Sequence, residues 1–268
     1  MENLTVVKSN HLIEAGYKLT LNEQRVLLAC IAQIKPDSNI DKIQFEVSAL
    51  ELAELVGISS KKAYEVLEQA VNKLAERWVI IDIPDPKNPL ERFKTRWVSG
   101  IGYAPQSGKI HLTFSYDILP YLSQLKQQFT QYKLSNVTNM TSTYAIRLYE
   151  LLMQWQGTGK REVELEWLKQ QFQIPNNYKS IKDFKKRVLE PAISQINQHS
   201  NLNVKWEQRK TGRKVTHLIF IFGLKNSEKK MTLSEYANSK ENRTRTMGKS
   251  DQELIKMMKK DGIKFCPD

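Results

Sequence analysis

Residues 178–197 read YKSIKDFKKRVLEPAISQIN, and residues 202–222 read LNVKWEQRKTGRKVTHLIFIF. In the first stretch Ile181, Phe184, Val188, Ala192 and Ile196 fall on one stripe at helical spacing, which predicts a helix over Ser180–His199. The rest of its first turns carries Lys179, Ser180, Lys182, Asp183, Lys185, Lys186 and Arg187. Asp183 stands four residues before Arg187, a helix-supporting pair that would also aim the guanidinium. Pro191 has no N–H for the Arg187 carbonyl and predicts a bend there. The second stretch reads as strands Leu202–Gln208 and Lys214–Phe222 around a Thr211-Gly212 turn, with Arg209, Lys210, Arg213 and Lys214 flanking it. A basic helix followed by a basic hairpin is the order of a recognition helix and its wing. Arg can read guanine bidentately, whereas Lys more often sits on phosphate.

The same order stands roughly 120 residues earlier, a pseudo-repeat of one supersecondary unit. Leu21–Ile34 has a broad apolar stripe, Thr20 as N-cap, Glu23 at capping-box distance and Pro36 as its stop. Ile43, Phe45 and Val47 alternate as a strand, and Ala49–Val56 and Ser60–Arg77 read as helices. Trp78–Ile83 and Phe93–Tyr103 predict a hairpin, Ile110, Leu112 and Phe114 a further strand, and Ile118–Leu125 a short helix. Ala53, Gly57, Ala63 and Val66 have helix-turn-helix spacing: small residues let the helices approach and Gly57 suits the turn. Ser59 as N-cap would put Ser60, Lys61, Lys62 and Tyr64 at the exposed start of the second helix, the end that such a motif offers to the major groove. An ordinary αα-hairpin fits that spacing equally well. In the second copy Thr143–Trp155 is a helix burying Ala145, Leu148, Tyr149, Leu152 and Trp155, followed by a strand at Val163 and Leu165 and a helix over Glu166–Phe172. Beyond Gly223 the chain turns polar, lacks periodicity until Glu253–Met258, and reads as a flexible tail.

Charge agrees with this placement. Of a net charge of +12 over 268 residues, residues 179–225 carry +8, from 11 Lys+Arg against 3 Asp+Glu, whereas residues 1–178 carry +1. A basic block coinciding with a helix and wing is the footprint of a phosphate-backbone contact. Other chemistries find little support. No run approaches the roughly 18 apolar residues of a membrane span, and the N-terminus has no signal-peptide core, so the expected setting is cytoplasmic. Cys30 and Cys266 fit neither a disulfide framework nor a metal knuckle. Gly102–Lys109 has five residues between its glycines where a phosphate loop has four, and Ile110 replaces its Ser/Thr. His11, His111, His199 and His217 are isolated, with no His-x-His pair for a nicking site; Tyr144 and Tyr149 fall in an amphipathic helix as core residues. Glu162, Glu164 and Glu166 have no histidine beside them to complete a metal site. No catalytic residue, metal or cofactor is expected.

LTLNEQRVLLACIAQI at 19–34, STYAIRLYELLMQW at 142–155 and YKSIKDFKKRVLEPAISQIN at 178–197 resemble the iteron-binding replication initiator (Rep) proteins of theta-replicating plasmids, the F-plasmid type, over about residues 5–225. The resemblance implies an α+β fold of two tandem winged-helix domains, an N-terminal one at 1–130 and a C-terminal one at 131–225; the flexible basic tail at 226–268 lies outside the shared pattern. It implies that the second domain makes the main sequence-specific contacts with double-stranded DNA, through Lys182, Lys185, Lys186 and Arg187. The first would supply weaker contacts and a homodimer interface, for which the alternating strands at Ile101, Tyr103, Ile110, Leu112 and Phe114 offer a sheet edge. Monomers of such proteins open the origin and dimers repress their own promoter at an operator; they have no catalytic activity and recruit the host initiator and replicative helicase. A non-replicative winged-helix repressor has the same DNA-binding chemistry. A rolling-circle nickase would need the missing histidine pair.

Overall fold

The structure, a computed structural model, describes residues 4–34, 44–56, 59–82, 90–123, 125, 127–174, 178, 180–225, 229–238, 245–260 and 263–265. The chain divides into a large compact unit, Met1–Gly223, and a small one, Leu224–Asp268.

The large unit opens with strand β1 (Thr5–Ser9) and one helical turn, α1 (Asn10–Ile13). Helix α2 (Leu21–Ile31) begins on the expected capping box. The Thr20 hydroxyl accepts from the Glu23 N–H at 3.4 Å, and the Glu23 carboxylate accepts from the Thr20 N–H at 3.0 Å. That buried carboxylate also takes two bonds from Arg77, both 2.9 Å, which ties the helix start to the segment beyond the next helix pair. Strand β2 (Gln44–Ser48) and helices α3 (Ala49–Val56) and α4 (Ser60–Ala75) follow. Pro36, Ile43 and Gly57 lie outside the described residues.

The strand expected over Phe93–Tyr103 is two strands. β4 (Arg92–Arg96) pairs with β3 (Trp78–Asp82), and β5 (Val98–Ala104) pairs with β6 (Lys109–Phe114) in a different sheet. The break is Trp97, whose fully buried ring meets Tyr17 edge-on at 5.1 Å between ring centres. Burying so large a side chain at the junction fixes where the chain leaves one sheet for the other. The helix expected at Ile118–Leu125 is a 3₁₀ segment at Tyr116–Tyr121, consistent with Pro120 having no N–H for a continuing helix. Next come β7 (Phe129–Lys133), which crosses residue 130 and pairs with β1, and the turn α5 (Ser135–Thr138). The sequence pattern missed β1 because Val6, Val7, Lys8 and Ser9 are all buried, so no alternation marks it.

The second copy comprises α6 (Thr143–Met153), β8 (Lys160–Glu164), α7 (Leu165–Gln171), α8 (Ile181–Phe184), α9 (Glu190–His199), β9 (Leu202–Thr211) and β10 (Lys214–Leu224). Its sheet order, β8-β10-β9, repeats the first copy's β2-β6-β5. These are two winged helices of one topology, with the β3–β4 hairpin inserted in the first.

Helix α6 departs from a one-sided stripe. Every residue from Ala145 to Met153 is buried, whereas Trp155, expected in the core, is 43% exposed in the turn after the helix. Its two buried charges reach elements of the first domain, although the Arg147 Nε has no partner among the described residues. Glu150 accepts from Lys8 Nζ on β1 at 2.6 Å and from the Tyr132 hydroxyl on β7 at 2.6 Å. Arg147 donates to the Tyr17 hydroxyl at 2.6 Å and the Ala15 carbonyl at 2.7 Å, and its guanidinium lies 3.3 Å from Glu150. One continuous apolar core runs through both winged helices around this network.

The segment expected as a flexible tail folds in the small unit. Strands β11 (Lys229–Met231) and β12 (Ile263–Phe265) pair in parallel, and helices α10 (Leu233–Asn238) and α11 (Asp251–Lys260) lie between them in sequence. Leu254 and Met258, four apart on α11, close on Tyr236 of α10 as a minimal core. Among the described residues no helix is long and apolar enough to cross a membrane.

Candidate nucleic-acid interface

The predicted recognition helix runs from α8 through a π turn at Lys185–Leu189 into α9. Its N-cap is Ser180, whose hydroxyl accepts from the Lys182 N–H at 3.0 Å. Phe184, Val188, Ala192 and Ile196 are buried and Ile181 half-buried, as the stripe predicts; Leu189 and Ile193 join them. Lys182, Asp183, Lys186 and Arg187 are exposed. The expected disturbance at Pro191 falls one turn earlier. The Glu190 N–H donates to the Lys185 carbonyl, five residues back, and Pro191 then occupies the first turn of α9. Asp183 and Arg187 are both exposed, and among the described residues no ion pair joins them. Lys185 is half-buried: its ammonium donates to the Gln208 side chain and lies 5.5 Å from the centre of the Trp206 ring, both on β9. It braces helix against wing. Trp206 and Gln208, which the sequence reading passed over, lie in phase with buried Leu202 and Val204, and that alternation was the available signal.

The wing extends away from the core. After Val204 no residue of β9 is fully buried, and the turn is reversed at Gly212 with φ +60°. Lys210, Arg213 and Lys214 are exposed and make no ion pair among the described residues. Arg209 is different: its Nε lies 2.5 Å from Glu162 on β8, across the intervening strand β10. That hydrogen bond, with the Arg209 charge and those of His217 and Lys160, holds the Glu162 carboxyl below its usual range. Arg209 therefore anchors the base of the wing to the sheet.

The first helix-turn-helix is weaker in chemistry. Ser59 has the extended backbone of an N-cap but makes no side-chain capping bond. Lys62 is exposed, and Tyr64 packs half-buried against the core, its phenol raised by burial and by Glu68 and Tyr103. Lys179 and the side chains of Ser60 and Lys61 lie outside the described residues. The strands proposed as a sheet edge divide: β6 is central, with Ile110, Leu112 and Phe114 buried, and only β5, with half-buried Ile101 and exposed Tyr103, is an edge. Of the tyrosines in α6, Tyr149 is buried between Asn136 and Asn201, at 3.0 and 2.9 Å, and Tyr144 leans on Phe172. Burial pushes both phenols above their ordinary range.

With this geometry in view, two family descriptions match the chain: "Initiator Replication protein, WH1" over residues 5–153 and "Initiator Rep protein, WH2" over residues 164–222. The chain belongs to the initiator Rep protein family. A replication initiation protein of Escherichia coli is 33% identical over 231 residues, covering 82% of this chain and 70% of the relative. The PI protein of Escherichia coli is 25% identical over 251 residues, covering 82% of each. The crystal structure of the Pi initiator protein in complex with iteron DNA superposes with a TM-score of 0.71 at 22% identity, over 85% of this chain and all of that one. At that identity the likeness is one of fold alone.

Proposed function

We propose that this protein initiates plasmid replication by binding the direct repeats (iterons) of its origin as a double-stranded DNA reader, and that it has no catalytic activity of its own. The observation that carries the reading is the second winged helix: Lys182, Lys186 and Arg187 are exposed and, among the described residues, without ion pairs on its recognition helix, beside Lys210, Arg213 and Lys214 on its wing. The helix start enters a major groove, Arg187 is placed to read a guanine edge, and the lysines and the wing neutralise flanking phosphates. Ser60–Tyr64 of the first domain makes the minor contact. In this reading the protein forms a homodimer through the first domain that represses its own promoter, while the monomer engages the host initiator and replicative helicase.

Footprinting on duplexes tiled across the DNA flanking the coding region tests this. The expected result is protection of tandem direct repeats about two helical turns long, on the order of 20 bp. Protection confined to one promoter-proximal site, with no repeats, would instead indicate a plain repressor.

A further inference from the structure

Buried polar groups are hydrogen-bonded almost without exception, and a buried charge needs a counter-charge beside it. Where α2 meets α6 both rules are left open. Gln24, in the first turn of α2, is 1% exposed, yet neither its amide nitrogen nor its amide oxygen has a partner among the described residues. The Nε of Arg147 on α6 is buried and unpartnered in the same way. Both residues line one small cavity of about 40 Å³, together with Lys18 and with Thr143 and Tyr144 of α6.

Three features make this cavity electropositive. Helix α6 starts at it, without a side-chain cap and with no acidic residue in its first turn, so the positive end of its dipole is unanswered. Lys18 and Arg147 belong to the wall, and among the described residues no aspartate or glutamate does. The network behind Arg147 holds two cations, Lys8 and Arg147, around one carboxylate, Glu150, which leaves one positive charge in excess. Water could satisfy the Gln24 amide but not that charge. One water needs about 10–15 Å³ of such space, so the cavity suits a monatomic anion rather than a sulfate or phosphate.

We propose that this cavity binds one small monovalent anion of the size of chloride, held by the Arg147 guanidinium, the Gln24 amide N–H and the start of α6. The anion balances the buried charge and ties α2 to α6.

Thermal melts of the full chain in sodium chloride, with sodium gluconate holding ionic strength constant, test this at neutral pH. The melting temperature is expected to rise by roughly 3–5 °C for each tenfold increase in chloride once the site is mostly filled. Bromide should act like chloride and sulfate should not, and a crystal soaked in bromide should show an anomalous peak between Gln24 and Arg147. Lys8→Met removes the excess charge and is expected to flatten the chloride response. Gln24→Glu supplies a carboxylate in place of the anion. Without chloride it is expected to melt near the temperature of the chloride-saturated wild type, and to ignore added chloride. A merely structural Gln24 would instead make Gln24→Glu less stable than wild type at every chloride concentration, because a carboxylate would be buried without a partner; that result overturns the proposal. So does a wild type indifferent to chloride at constant ionic strength, a rise that sulfate matches, or a chloride response that Lys8→Met and Gln24→Glu leave intact.

Discussion

Replacing Glu150 by glutamine should be far more damaging than replacing its partner Lys8 by methionine. Lys8, Arg147 and Glu150 are essentially fully buried, so the network holds two cations around one carboxylate. Glu150→Gln keeps the shape but leaves both cations without it, and removing one member of a buried ion pair costs about 3–5 kcal/mol. Lys8→Met leaves Arg147 and Glu150 as a balanced pair. The carboxylate still holds its bond from Tyr132, the guanidinium keeps Tyr17 and the Ala15 carbonyl, and an unbranched side chain fills the Lys8 position. That exchange should cost no more than about 1 kcal/mol. Urea unfolding at pH 7 reads both: with a slope of about 1–3 kcal/mol/M, Glu150→Gln should lower the midpoint by roughly 1 M or more at unchanged slope. Burial alone would raise the Glu150 carboxyl. The charges of Lys8 and Arg147 and the bonds from Lys8 and Tyr132 outweigh it and hold the group below its ordinary range. Its contribution is therefore complete above the unfolded-chain value of about 4.3 and is lost as pH falls through the lower folded value. The gap between wild type and Glu150→Gln should narrow only in that acid range. If Lys8→Met proves as costly as Glu150→Gln, the charge-balance reasoning is wrong.

Three further outcomes are expected. Arg187→Ala should collapse discrimination by about 1–3 kcal/mol while Lys210→Ala weakens repeat and random DNA equally and lowers the log–log salt slope by about 0.9; a Lys61→Ala/Lys62→Ala variant losing more specificity than Arg187→Ala would mean that the first domain is the main reader. Thr20→Ala should cost about 1 kcal/mol in thermal or urea unfolding by removing the capping hydroxyl from the Glu23 N–H, and a change below a few tenths would deny that cap its role. Supercoiled origin DNA incubated with Mg²⁺ or Mn²⁺ should remain unnicked on gels, and a nick abolished by Tyr144→Phe would make the protein an enzyme after all.

Local chemistry was enough to place many elements of this chain. Thr20 and Glu23 announce the start of α2, Gly212 the turn of the β9–β10 wing, and the spacing of Ile181, Phe184, Val188, Ala192 and Ile196 the buried face of the recognition helix, because caps, turns and amphipathic stripes are decided within a few residues. The concentration of basic residues at 179–225 likewise points to the interface without coordinates. Contacts between distant segments were not legible there. Lys8 and Glu150 are 142 residues apart, and each alone reads as a surface charge; only the docking of β1 and β7 on α6 makes them a buried pair. Trp97 splits one apparent strand because two sheets meet at its ring. Lys185 and Arg187 are equivalent cations in the sequence, but folding sets one against Trp206 and Gln208 of the wing and leaves the other exposed. Residue type sets what each group can do, but the packing of distant segments against one another, settled over the whole domain, decides which group is left to do it.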